Sequence, residues 1–154
     1  EIIDPTQFAG GVANGNAVGG CTPGNERVSV GPNGTESNGD IPGGFAIGMS
    51  ANGRLVVFAS DATNLLGNAV GVPNGTYQVF MRDRCLADGV AIPGCTPATT
   101  LVSIAPDGAI GNGSSTLPAI AAGGNATAFG SAASNLLGPA VDTNTLSDAF
   151  VRDR

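Results

Sequence analysis

The architecture of this chain is clearest in the stretch TYQVFMRDR, residues 76–84. The stretch has the period of an extended strand, in which successive side chains point to opposite faces. Two faces result, Tyr77, Val79 and Met81 on one and Gln78, Phe80 and Arg82 on the other. The block from Val79 to Arg84 recurs as Ala149 to Arg154, at an offset of 70. A repeated strand predicts a repeat architecture.

Further blocks repeat in the same order along the chain. RVSV at 27–30 recurs as LVSI at 101–104, at an offset of 74. The block from Phe58 to Gly67 recurs from Phe129 to Gly138, at an offset of 71. Because the offset shrinks along the chain, the first copy carries small insertions. So many ordered matches predict two copies of one structural unit.

Each copy consists of short strand-like runs separated by turn residues. RLVVFAS at 54–60 follows a turn at Ala51-Asn52-Gly53, and RVSV and LVSI are rich in β-branched residues. The 25 Gly and 10 Pro make up nearly a quarter of the 154 residues, which disfavours long helices. Only residues 62–66 are compatible with a helical turn. We therefore predict an all-β fold of two four-stranded, β-propeller-type blades.

The composition excludes several kinds of chemistry. His is absent, which removes a His base, a Ser-His-Asp triad and His-ligated zinc. All six basic residues are Arg, so a lysine Schiff base is also excluded. The net charge of −6 has the wrong sign for binding nucleic acid or an anionic membrane. No apolar run is long enough to cross a bilayer, so we expect no membrane span, and we expect no enzymatic activity.

Two segments carry a family resemblance. SANGRLVVFAS at 50–60 resembles the Ser-Pro-Asp-Gly-Lys core of TolB-like β-propeller repeats. DTNTLSDAFVRDR at 142–154 resembles the variant of secreted bacterial proteins, in which an Asp-Thr-Asn-Gly loop precedes an Asp-Val-Phe-Val-Arg-Asp strand. The resemblance covers residues 27–154 and implies a fold rather than an activity. Ala51 and Asn52 replace the family's Pro and Asp, which leaves any role of that Asp without a counterpart here.

The resemblance also implies how the strands are shared between blades. In such propellers the RVSV-type strand is the outer strand of the preceding blade. Residues 45–104 would then form one full blade that ends in strand 101–104, and residues 117–154 would supply three strands of a second. A spare fourth strand would lie at 27–30. The chain therefore divides into a Gly/Asn-rich arm at 1–26, a first repeat at 27–100 and a second at 101–154.

Two blades cannot close a propeller, and an unpaired edge strand invites pairing. We expect an assembly strand, Arg27, Val28, Ser29 and Val30, to complete the second blade of another copy. Three chains would give a six-bladed ring and four an eight-bladed one, whereas a rotation that does not close would give a filament. The alternative is that this chain is a fragment of a longer propeller that continues past Arg154.

The three cysteines bear on location and on assembly. Cys85 and Cys95 lie ten residues apart around the loop DGVAIPG, a spacing that suits a disulfide, although two free thiols in a reducing cell remain the alternative. Cys21 matches Cys95, but its partner would directly follow Arg154, so it is left to pair between chains or to stay free. Low charge, absent Lys and a disulfide favour an extracellular or cell-surface location.

Two motifs are candidate sites. Asp142, Asn144 and Asp148 have the spacing of oxygen ligands for calcium, although Asp and Asn also build turns without a metal. The first copy has Val72, Asn74 and Gln78 at those places, so it cannot serve equally. The repeated Arg-Asp-Arg motif at 82–84 and 152–154 is interpreted as structural, with Asp bonding Arg or backbone. No cofactor other than calcium is expected.

The sequence therefore predicts a non-catalytic, secreted structural or adhesive protein whose partners are other copies of itself. Strand addition would supply the affinity, and apolar side chains such as Val28 and Val30 the register. The alternative function is that of a binding module, part of a larger extracellular propeller that recognises a protein or glycan.

Overall fold

The computed structural model describes residues 24–42, 47–67, 71–138, 141–144 and 146–154, together with the backbone of two short strands before them. These are β1 (Val12–Ala13) and β2 (Asn16–Ala17), which pair in antiparallel orientation. The rest of the predicted arm up to residue 23, including Cys21, lies outside the described residues.

The remaining strands form two larger antiparallel sheets and a small hairpin. In chain order they are β3 (Gly48–Met49), β4 (Leu55–Ser60), β5 (Gln78–Asp83), β6 (Leu86–Ala87), β7 (Val90–Ala91), β8 (Ala98–Leu101), β9 (Ser115–Ile120), β10 (Ala126–Ser131) and β11 (Asp148–Asp153). The first sheet has the order β3-β4-β5-β8, the second has the order β9-β10-β11, and β6 pairs with β7. Neither sheet closes on itself. The predicted all-β fold is confirmed, and the open sheets are consistent with an incomplete propeller; the first sheet has the predicted four strands and the second has three.

Both sheets begin their central strand with the same kind of turn. Before β4, Asn52 Oδ1 accepts hydrogen bonds from the Ser50 hydroxyl (2.9 Å) and the Arg54 N–H (3.1 Å), and Gly53 has a φ of 70°. A left-handed φ disfavours any residue with a Cβ, which explains glycine at this position. The predicted turn at residues 51–53 is therefore confirmed, and Gly124, with a φ of 75°, provides its counterpart before β10.

The alternation predicted for residues 77–82 divides the core into two clusters. Val79 and Met81 pack with Leu55, Val57 and Val102 against Phe129 and Leu136 of the second repeat. Phe80 lies on the opposite face, in a cluster with Phe58, Ala62, Leu65 and Val72. The Phe58 and Phe80 rings stack at 5.9 Å between centroids, and those of Phe129 and Phe150 at 5.8 Å. Each sheet thus carries the same aromatic pair, as the repeat requires.

The fourth strand of the first sheet differs from the prediction. It is formed by residues 98–101 rather than 101–104, so only Leu101 is shared. Val102 leaves the strand, donates its N–H to the Val79 carbonyl (2.8 Å) and is 4% exposed in the core. Ile104 then forms an isolated bridge to Ile110. Because the Val102 side chain packs in the core, the chain turns inward after Leu101.

Three other local predictions have different outcomes. Residues 27–30 form no strand, and only Val30 makes a bridge, to Glu36. Residues 63–66 form a bend and a turn rather than a helical turn, and Ala62 has no regular structure. The predicted disulfide is confirmed: Cys85 and Cys95 are joined, with their Cα atoms 5.6 Å apart, and it encloses the β6–β7 hairpin.

The close approach of two backbone segments at Gly113 gives a stability prediction. A Cβ at this position would lie against the Ala132 carbonyl oxygen and 2.6 Å from its carbonyl carbon. Because backbone atoms cannot move aside as a flexible side chain can, we expect Gly113→Ala to lower the free energy of unfolding by about 1–3 kcal/mol. Urea denaturation measures this change.

The matched control is Gly71→Ala, where no atom of the described residues lies within 4 Å of an added Cβ. It should leave the unfolding midpoint within experimental error of the parent protein or raise it slightly. Equal destabilisation by the two variants would contradict the close contact at Gly113.

Candidate functional site

The second sheet ends in an uncovered edge strand. All residues of β11 except Phe150 are exposed, whereas the first four residues of the equivalent strand β5 are buried. Val151 is 70% exposed and its counterpart Met81 is 8% exposed. The difference has two sources: no described strand pairs with the outer edge of β11, and no described sheet packs on Val151 as Phe129 and Leu136 pack on Met81.

The hydrogen bonds on the outer edge of β5 show which contacts the outer edge of β11 lacks among the described residues. Phe80 lies opposite Leu101 and Asp83 opposite Ala98 in the β5–β8 pairing. Beyond β8, the Val102 N–H bonds the Val79 carbonyl, and the Val79 N–H bonds Ser103 Oγ at 3.0 Å. Successive residues of an antiparallel strand direct their backbone N–H and C=O groups to opposite neighbours. Val79 directs its groups to the β8 side. Its counterpart in β11, and every second residue after that, therefore direct theirs to the edge where no described strand bonds them. These residues are Ala149, Val151 and Asp153.

The segment at residues 28–37 repeats the conformation found after β8. The Val30 N–H bonds the Val28 carbonyl at 2.9 Å, as the Ile104 N–H bonds that of Val102 at 2.9 Å. Further bonds repeat between equivalent residues of the two copies: Gly31 to Thr35 (2.8 Å) matches Ala105 to Ala109 (2.8 Å), and Ser37 to Ser29 (3.2 Å) matches Gly111 to Ser103 (3.0 Å). Residues 28–37 therefore have the shape of residues 102–111.

Paired asparagines hold each of these segments on the sheet that follows it. Asn38 Oδ1 accepts the Thr63 N–H (2.9 Å), and Asn64 Oδ1 accepts the Asn38 N–H (3.1 Å). In the second copy the same bonds join Asn112 to Ser134 (2.8 Å) and to Asn135 (3.0 Å). The sequence pattern by itself assigns no role to Asn38 or Asn64. The signal for their role was their recurrence as Asn112 and Asn135 within the repeated blocks.

The first segment pairs with no strand among the described residues, whereas its counterpart in the second copy bonds β5. Residues 24–27 are exposed and belong to no strand. Within the described part of the chain, the Val28 N–H and the Ser29 hydroxyl have no hydrogen-bond partner, whereas Val102 and Ser103 bond β5. The four predicted assembly residues therefore lie at the exit of an unpaired segment, and the structure does not bring them to β11 of the same chain.

The Arg-Asp-Arg motif of the first copy is structural, as predicted. Asp83 accepts two hydrogen bonds from Arg54 Nε (3.0 and 3.1 Å) and one from Arg54 Nη2 (2.8 Å). It also accepts the Cys85 N–H (2.9 Å) and an Arg154 Nη2 contact from the second sheet (3.3 Å). The hydrogen bonds from Arg54 lower the pKa of the Asp83 carboxyl and raise the pKa of Arg54. Asp83 therefore connects both sheets with the disulfide loop.

The calcium candidates line one open cavity of about 420 Å³ beside β11. Asp142 Oδ1 accepts the Asn144 N–H (3.2 Å), and Asn144 Oδ1 accepts the Leu146 N–H (2.8 Å). These are the turn-building bonds that the sequence left open as an alternative. Asp148 takes no part in them and lies at the start of β11. Another group of metal-ligand side chains, at Asp83, has both of its cysteines joined in the disulfide.

Comparisons of this chain with protein-family models, curated proteins and solved structures gave no match. The resemblance to TolB-like repeats therefore rests on the residues quoted above.

The ion pair at Asp83 gives a prediction for pH dependence. Because its pKa is lower in the folded state, the pair stabilises the fold above the unfolded pKa near 3.8 and loses this effect as pH falls through the folded pKa. We expect Asp83→Asn to lower the free energy of unfolding by about 1–2 kcal/mol at neutral pH. The difference from the parent protein should shrink below about pH 4. Urea titrations at several pH values measure it.

Asp88→Asn is the matched control, since it removes the same charge from the exposed β6–β7 turn. That variant should follow the parent protein at every pH. A loss of unfolding free energy in Asp83→Asn that does not vary with pH would show that the hydrogen bonds of Asp83, and not its charge, are stabilising.

Proposed function

We propose that the protein is a non-catalytic structural or adhesive protein that assembles with copies of itself. A segment ahead of the first sheet of one copy completes the second sheet of the next. One observation supports this above all: among the described residues the second sheet has no counterpart of β8, while residues 28–37 already have the shape that follows such a strand. The donor precedes the first sheet and the acceptor belongs to the second, within one chain.

Strand addition accounts for affinity and for specificity. Main-chain hydrogen bonds between the incoming strand and β11 satisfy the outward groups of Ala149, Val151 and Asp153. Val28 takes the position that Val102 has in the first sheet, where that side chain is 4% exposed. Burial of Val28 and Val151 removes apolar surface from water and fixes which face is inside.

The two units are proposed to be blades of the TolB-like propeller type. Head-to-tail addition then continues until the rotation closes, with three or four chains in a ring, or continues as a filament. We propose an extracellular location, because disulfides persist in oxidising compartments and the chain has one. No helix of the described residues is long and apolar enough to cross a membrane.

A second candidate function is that of a ligand-binding module. It is favoured by an apolar groove of about 680 Å³ between the segment at 31–33 and β8, whose walls include Pro32, Leu66, Pro97, Leu101 and Ile110. Such a groove suits apolar side chains of a protein ligand. A chain that stays monomeric at high concentration would favour this function over assembly.

The assembly proposal predicts that a charge at either end blocks growth. Val151→Asp places a carboxylate where the equivalent Met81 is buried, and Val28→Asp does so at the equivalent of Val102. Each variant should remain folded, since Val151 is exposed and Val28 half-buried in the single chain, and each should be monomeric by light scattering. An equimolar mixture should give a dimer, because each variant keeps one intact end.

Val90→Asp is the control, with the same change at a 68% exposed residue of β7. It should assemble as the parent protein does. Assembly by Val28→Asp or Val151→Asp to the parent size would overturn the proposal.

A further inference from the structure

The observed position of β8, carried over through the internal repeat, identifies the donor strand more closely than the sequence alone. In the first sheet the pairing strand is β8, which immediately precedes Val102. The counterpart of Val102 at the offset of 74 is Val28, so the counterpart of β8 is residues 24–27. Residues 27–30, with their β-branched side chains, then correspond mainly to the exit from the strand.

Residues 24–27 are also held where a donor strand should be. Arg84 Nη2 contacts the Glu26 carboxylate at 2.7 Å, and Arg84 Nη1 donates to the Gly53 carbonyl at 2.7 Å. The counterparts of Glu26 and Arg84 are Thr100 and Arg154, which line one small cavity between the sheets. Glu26 therefore lies beside the first sheet as Thr100 of β8 lies beside the second.

We infer that residues 24–27 of one copy pair antiparallel with β11 of the next, with Asn25 opposite Arg152. This register is that of the β5–β8 pairing, in which Arg82 lies opposite Thr99. The inference rests on the assembly proposed above and names its interface. Arg27 then lies opposite Phe150, Glu26 opposite Val151 and Gly24 opposite Asp153.

The register brings an unpaired carboxylate to an arginine. Between the two sheets of one chain, Arg154 contacts Asp83 at 3.3 Å. The equivalent contact joins Arg84 of one copy to Asp153 of the next. Asp153 has no ion pair within the described part of the chain, because Asn125 occupies the place that Arg54 has beside Asp83. The Arg154 N–H bonds the Asn125 carbonyl at 2.9 Å, as the Arg84 N–H bonds that of Arg54 at 2.9 Å.

A second polar contact fixes the same register. In the first sheet the Ser103 hydroxyl donates to Gln78 Oε1 at 2.6 Å and accepts the Val79 N–H. The counterparts are Ser29 of one copy and Asp148 and Ala149 of the next. The Ser29 hydroxyl would donate to the Asp148 carboxylate, which gives Asp148 a role at the interface rather than in a calcium site.

Disulfide cross-linking tests the register. The Arg82 and Thr99 side chains lie on the same face, with Arg82 Nη1 3.3 Å from Thr99 Oγ1. Because Val79 bonds toward the β8 side, Arg82 bonds the other way, and its pair with Thr99 is non-hydrogen-bonded, with a Cα separation of about 4.5 Å. That separation allows a disulfide. We expect Asn25→Cys with Arg152→Cys, in a Cys21→Ser background, to give linked oligomers that collapse to single chains on reduction.

The control pair is Asn25→Cys with Val151→Cys, which is one residue out of register and on the opposite face of the strand. It should give no linked oligomers. If light scattering shows assembly but the matched pair fails to link, or both pairs link equally, the register is wrong and the proposed function stands. If the parent protein, with Cys21 in place, does not assemble at all, the proposed function itself is overturned.

Discussion

The structure depends on how the backbone hydrogen bonds of its outer strands are satisfied. A strand in the middle of a sheet bonds both neighbours, whereas an edge strand offers a row of free N–H and C=O groups. The first sheet solves this for β5 with β8, and no described strand does so for β11. Since both sheets are built from one repeated unit, β11 offers its bonding groups to the same kind of strand that β5 already has.

The repeat extends from strands to individual hydrogen bonds. Both copies have a stacked Phe pair, a pair of asparagines that holds the preceding segment on the sheet, and a turn that begins the central strand. The copies differ where one has a neighbour and the other does not. Arg54 pairs with Asp83 in the first sheet, whereas Asn125 leaves Asp153 without this partner. These differences lie at β11, which is where another copy is proposed to bind.

Much of the fold could be predicted from local signals. An apolar run predicts strand β4, and Asn-Gly predicts the turn before it. Alternation predicts the two faces of β5, and cysteine spacing predicts the Cys85–Cys95 disulfide. The fourth strand could not be placed, because ATTL at 98–101 and LVSI at 101–104 are both β-prone. Packing of Val102 into the core decides between them, and this contact is with β5, a strand distant in the sequence. The hydrogen bond between Asn38 and Asn64 joins residues 26 apart in the sequence, so no local sequence pattern predicts it.

Hydrogen exchange of the β11 amides measures whether a neighbouring copy completes the second sheet. If a neighbouring copy completes the second sheet, the amides of Ala149 and Val151 become protected as protein concentration rises, toward the protection of Val79 and Met81 in β5. The β5 amides provide the internal reference, since β8 covers Met81 and the Ser103 hydroxyl bonds the Val79 N–H within one chain. Fast exchange of Ala149 and Val151 at every concentration, with β5 protected throughout, would contradict completion of the second sheet by a neighbouring copy.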